Sequence, residues 1–123
     1  MVIQNWHWDI SMNSLISKIK KIHTALNSIQ FDHIYHYDAS TSSSNRYIVW
    51  QEEAQADSNY LNNNLEEQTV QGSIDFYTKT EFDDLADEIQ KTLVAHSIAF
   101  SLFSIQYEKE TGYIHYTWNW EVS

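Results

Sequence analysis

The chain has no cysteine at all. Disulfides, thiolate zinc sites and cysteine nucleophiles are thereby excluded, and the absence fits folding in a reducing compartment. It has only two glycines, Gly72 and Gly112, so there is no glycine-rich phosphate loop and no nucleotide site of the common kinds. No Gly-x-Ser-x-Gly elbow surrounds Ser40, Ser42, Ser43 or Ser44. No apolar run approaches the ~20 residues of a membrane span. Met1 to Ile10 lacks the basic and apolar regions of a signal or transit peptide.

Basic charge is also scarce. Seven Lys and Arg face seventeen Asp and Glu, a net charge of -10. The imbalance is local: residues 1–46 carry net +1 and residues 47–123 carry net -11. Affinity for phosphates comes from Lys and Arg, so this surface disfavours nucleic acid and, for the same reason, membrane surfaces. A positively charged protein partner, or a place near DNA that avoids sticking to it, is compatible with the charge.

What is abundant is apolar and aromatic surface. Of 123 residues, 42% are hydrophobic and 15% aromatic. That is enough for one ordinary folded domain, expected over 1–123. Met12, Leu15, Ile16, Ile19, Ile22, His23, Leu26 and Ile29 follow helical spacing. They predict an amphipathic helix over about 10–28, capped by Asp9 or Ser11, with Lys18, Lys20 and Lys21 mostly toward solvent. Phe31–Asp38 and Arg46–Glu53 read as strands. In Thr69–Tyr77, Val70, Gly72, Ile74 and Phe76 share one face. Thr80-Glu81-Phe82-Asp83 resembles a capping box that opens a second helix, with Phe82, Leu85, Ala86, Ile89 and Leu93 as its buried stripe. A hairpin closes the chain. Its first arm, Ile98–Tyr107, changes phase between Leu102 and Phe103, which predicts a bulge or burial on both faces. Its second arm is Tyr113–Val122. The expected fold is α+β in the order α-β-β-β-α-β-β, with a mainly antiparallel five-stranded sheet and two helices on one face. Aromatics on the second face point to cover by neighbouring subunits.

No catalytic, cofactor or metal constellation is legible. His33 and His36 are three apart on a strand, so they point to opposite faces and make a poor metal clamp. Asp83, Asp84, Asp87 and Glu88 read as a helix start with dipole-favourable charges rather than an ion site. Nothing predicts a cluster that joins His33 or His115 to carboxylates in a pocket, which an enzyme reading would require. Trp50, Trp118, Trp120, Tyr113 and Tyr116 read as core or interface packing rather than a stacking platform, which normally lies in a basic groove. Trp50, Tyr113 and His115 are the candidate subunit-interface residues. The polar loop Gln55–Gln68 reads equally as a partner-binding loop, through Asp57, Tyr60, Leu61 and Leu65, or as a surface excursion.

Tyr47-Ile48-Val49-Trp50, the polar loop, and Gly72-Ser73-Ile74-Asp75-Phe76-Tyr77-Thr78-Lys79 entering an acidic helix resemble the tail-terminator (head–tail joining) proteins of long-tailed bacteriophages. Those carry a YIVY/YIVW strand, a loop and an IDLYTK/VDYFTK-like strand. The closing residues Ile105–Glu108 and Tyr113–Val122 are similar to the last hairpin of such proteins from phages of Gram-positive hosts. The resemblance covers about residues 46–122. The usual proline before the Tyr-Ile-Val strand is replaced by Arg46. The resemblance implies a non-enzymatic structural protein without cofactors. It implies a homo-hexameric ring that caps the tail tube in the virion, meets the tail tube protein and the head-completion (stopper) protein, and lets DNA pass through its centre. The alternative expectation is an acidic protein that mimics DNA charge and inhibits a DNA-binding enzyme, which requires carboxylates arrayed along one exposed face.

Overall fold

The computed structural model describes residues 14–40, 42–56 and 68–123. The elements are α1 (Leu15–Asn27), β1 (Ile34–His36), β2 (Arg46–Ala56), β3 (Thr69–Thr78), α2 (Leu85–Ala95), β4 (Ala99–Glu108) and β5 (Tyr113–Val122). The α+β class and element order match the sequence reading. The sheet is mixed, however, with strand order β1-β2-β3-β5-β4. β1 runs parallel to β2, with Ile34 beside Ile48, and the other pairs are antiparallel. β2 thus starts at the end where β1 began and runs in the same direction instead of turning back as a hairpin. The strand expected over Phe31–Asp38 therefore shortens to three residues, and Tyr37, at φ 74, turns the chain away.

α1 starts at Ser14, whose hydroxyl accepts the Ser17 amide at 3.1 Å. The proposed caps Asp9 and Ser11 lie outside the described residues. Its buried face is Lys18, Ile22, Ala25 and Leu26, followed by Ile29. Leu15, Ile16 and His23 are exposed, contrary to the expected stripe. Lys18 is the larger departure: only 3% of it is exposed. It sits four residues before Ile22 and so shares its face. Its stem lies in the core while the ammonium donates to the carbonyl oxygen of Gln68, just ahead of β3.

Both helices cover the same side of the sheet. Their apolar residues meet Ile48, Trp50, Val70, Ile74, Phe76, Trp118, Trp120 and Val122 in one core cluster. The two deepest indoles keep their N–H groups bonded, as burial demands: Trp118 to Gln90 Oε1 at 2.9 Å, Trp120 to the Ser73 carbonyl at 3.1 Å. Gly72 is what lets Trp120 lie flat on β3. A Cβ there would come within 2.4 Å of the indole and 2.1 Å of the Gln51 carbonyl oxygen. The phase break in the hairpin is a bulge: register shifts between Leu102 and Ser104.

α2 begins five residues after Thr80, because Asp83 is used elsewhere. Its carboxylate takes two hydrogen bonds from Arg46, at 2.8 and 2.7 Å, and one from the Thr78 hydroxyl at 2.7 Å. It also accepts the Leu85 amide at 3.0 Å. Arg46 in turn lies 5.3 Å over the Phe31 ring. Residues 79–84 are held as a turn, Phe82 adopts φ 57, and its side chain is 87% exposed rather than part of the buried stripe. Leu85, Ile89 and Leu93 are buried as expected.

Burial pushes the Asp83 carboxyl up, but the hydrogen bonds from Arg46, Thr78 and the Leu85 amide outweigh it and hold it below the usual carboxylate range. A depressed carboxyl contributes stability that is complete above its unfolded value of about 3.9 and is lost as pH falls through the folded value. Replacing Arg46 by Met leaves a buried carboxylate without its cation, an expected loss of about 2 kcal/mol or more in urea unfolding at pH 7. Asp83→Asn should flatten the stability loss below about pH 4. Gly72→Ala should cost about 1–3 kcal/mol by overpacking against Trp120; an unchanged urea midpoint would contradict that packing.

Candidate functional site

The side of the sheet away from the helices carries the most organised polar chemistry among the described residues. Register decides which residues meet there. Tyr47 lies opposite Tyr77, and Tyr77 lies opposite His115. Directly opposed residues project to the same face, so the three rings form a ladder across β2, β3 and β5. Centroids are 4.8 Å apart for Tyr47–Tyr77 and 4.1 Å for Tyr77–His115, with planes within 17° and 19°. Tyr113 packs edge-on to both tyrosines, at 5.7 and 5.9 Å, and its hydroxyl donates to the Ser44 carbonyl. The Lys79 ammonium sits 4.9 Å from the centre of the Tyr113 ring.

His115 is anchored at both nitrogens. Nε2 is 2.8 Å from Asp75 Oδ1 and Nδ1 is 3.3 Å from Glu108 Oε2. The Thr117 hydroxyl donates to the same Asp75 oxygen at 2.8 Å. Two carboxylates facing two ring nitrogens suit an imidazolium that donates twice. The Asp75 hydrogen bond raises the His115 pKa, burial opposes it, and the charges of Asp75 and Glu108 raise it further. Burial, with Asp75 nearby, pushes the Tyr77 hydroxyl up to about 12.

This cluster joins His115 to carboxylates, which the sequence reading did not anticipate. The signal was in Asp75 and His115, each on the polar side of an alternating strand. Their pairing depends on β3 lying next to β5, although α2 and β4 intervene in the chain. Both imidazole nitrogens face carboxylates, and the Thr117 hydroxyl bridges the cluster, 2.8 Å from Asp75 Oδ1 and 3.2 Å from His115 Nε2. His115 lines neither the cleft at Gly72 and Trp120, nor that at Val94 and Phe100, nor that at Ser28 and Glu88.

The three interface candidates are not brought together. Tyr113 and His115 are half-buried neighbours on the helix-free face. Trp50 is 2% exposed on the helix side, where the His36 ring stacks on it at 3.8 Å. His36 also pairs with Glu52 at 2.8 Å, while His33 turns to Tyr35. With Trp50, Trp118 and Trp120 all buried, they form no stacking platform. Asp57, Tyr60, Leu61 and Leu65 lie outside the described residues. No group of three or more His, Asp and Glu among the described residues is arranged to hold a metal ion. No described helix is long and apolar enough to cross a membrane.

No model of a known protein family matches the chain, and no curated protein matches it.

A group with a raised folded pKa contributes stability that is complete below its unfolded value and is lost as pH rises through the folded one. For His115 this means a stability decline beginning near pH 6.5. Thermal unfolding between pH 6 and 9 should show the decline in the wild type, and His115→Gln should remove most of it. An NMR titration of His115 with a midpoint at or below 6.5 would contradict the double anchoring.

Proposed function

We propose that the chain is a non-enzymatic structural protein of a phage neck, a tail terminator that forms a ring on the tail tube and joins the tail to the head connector while DNA passes through. The observation that carries this reading is the order of the tail-terminator-like segments. Tyr47–Trp50 falls in β2, Gly72–Thr78 in β3 and Tyr113–Val122 in β5, and these three strands are contiguous in the sheet. The departure from the family pattern has a physical role here: Arg46, in place of proline, clamps the turn into α2 through Asp83.

Two features support an assembly role. The polar groups that converge on the helix-free face are paired with one another, as in a surface built for packing. The net charge of -10 suits a ring around passing DNA, because repeated acidic copies repel the phosphate backbone rather than retain it. The DNA-mimic alternative draws less support. It needs a continuous exposed row of carboxylates, whereas Asp83 is buried in an ion pair and Asp75 and Glu108 are committed to His115.

The reading is tested by tail-tube assembly. Added to polymerising tube protein of the cognate phage, the chain should bind one tube end and stop growth, narrowing the length distribution. Tubes that lengthen unchanged, with no chain at their ends, would refute it.

A further inference from the structure

From strand β4 we infer a second association surface: two copies of this chain dimerise in solution by an antiparallel, two-fold contact between their β4 edges. β4 is the long outer strand of the sheet. Natural edges are blunted by lysine, proline, inward charge or a bulge. Of these β4 has only the bulge at Phe103, and from Ala99 to Tyr107 it carries no charged side chain. Leu102, Phe103, Ile105 and Tyr107 are 47% to 70% exposed along it.

The bulge at Phe103 makes this strip self-complementary. Before it, Phe100 and Leu102 pair with Trp120 and Trp118 on the helix side of the sheet. After it, Ile105 and Tyr107 pair with Tyr116 and Ile114 on that same side. The resulting pattern, Phe100, Leu102, Ile105, Tyr107, reads the same from either end about the midpoint of Phe103 and Ser104. An antiparallel partner therefore sets Leu102 against Ile105 and Phe100 against Tyr107, as an isologous contact requires. Glu108, the only charge of the strand, then faces the partner's Ala99, so no like charges oppose.

Charge selects the occupant. Copies with net charge -10 repel over most of their surface, and the neutral β4 strip is where they can meet without that cost. A basic partner would instead favour the acidic surfaces. The four exposed side chains offer on the order of 400 Å² per copy. Exposed Val94 extends the strip beside a cleft of about 400 Å³ lined by Asp87, Gln90, Lys91, Val94, Ala95 and Phe100. With the edge backbone, two copies bury on the order of 1,200 Å², the lower end for a specific pair. A two-fold contact closes on itself and does not by itself generate a six-membered cyclic ring. The dimer is thus a separate state from the ring, and it does not rest on the ring reading.

Sedimentation of the full chain at tens of micromolar should show a dimer, and Ile105→Asp, at an exposed position, should weaken dimerisation at least about tenfold with an unchanged circular dichroism spectrum. The cysteine-free background allows a second measurement. Leu102→Cys combined with Ile105→Cys should form a disulfide-linked dimer on mild oxidation. A wild type that stays monomeric to about millimolar concentration, a dimer indifferent to Ile105→Asp, or a dimer that the cysteine pair fails to cross-link would overturn the inference. Tube capping, measured separately, is independent of all three outcomes.

Discussion

The Asp83 carboxylate is the point on which the rest of this architecture depends. Four hydrogen bonds converge on it from the start of β2, the end of β3 and the first amide of α2. A buried carboxylate is costly unless its lone pairs are filled and its charge is matched, and Arg46 does both. The pair fixes where β3 stops, delays the helix to Leu85, and sets α2 over the sheet so that Leu85, Ile89 and Leu93 reach the core. Through its contact with the Phe31 ring, Arg46 also ties in the segment between α1 and β1.

The strand order governs the surface chemistry. Because β5 lies against β3, His115 meets Asp75 and stacks on Tyr77. Because β4 is pushed to the outside, its uncharged apolar strip becomes an edge. The two faces divide the work: helices and tryptophans close one, while the other carries tyrosines and a satisfied ion cluster. The chemistry of the second face is turned inward, carboxylate to imidazolium and hydroxyl to carboxylate.

Much of the fold was legible from periodicity. Val70, Ile74 and Phe76 announced the buried side of β3, and the phase break at Leu102–Phe103 announced the bulge. What was not legible involved pairing across the chain. Asp83 looked like a capping residue because its sequence neighbours fit a capping box; its partner, thirty-seven residues away, had no local signature. Lys18 looked solvent-facing by residue type, yet position 18 lies on the helix's buried side. The parallel β1–β2 pair defeated the expectation that neighbouring strands turn as hairpins, since nothing in residues 37–45 marks a return to the same end. His115 was singled out as an interface residue, but its carboxylate partners emerge only from the strand order.

The proposed role places this chain, as an assembled copy, at the head end of a phage tail. Cryo-electron microscopy of the intact particle's neck tests it most directly. The account predicts six-fold density between tail tube and connector into which the β2–β3–β5 sheet and its two helices fit, with an acidic bore around the DNA. A neck whose density at that position is fully explained by other proteins would contradict it.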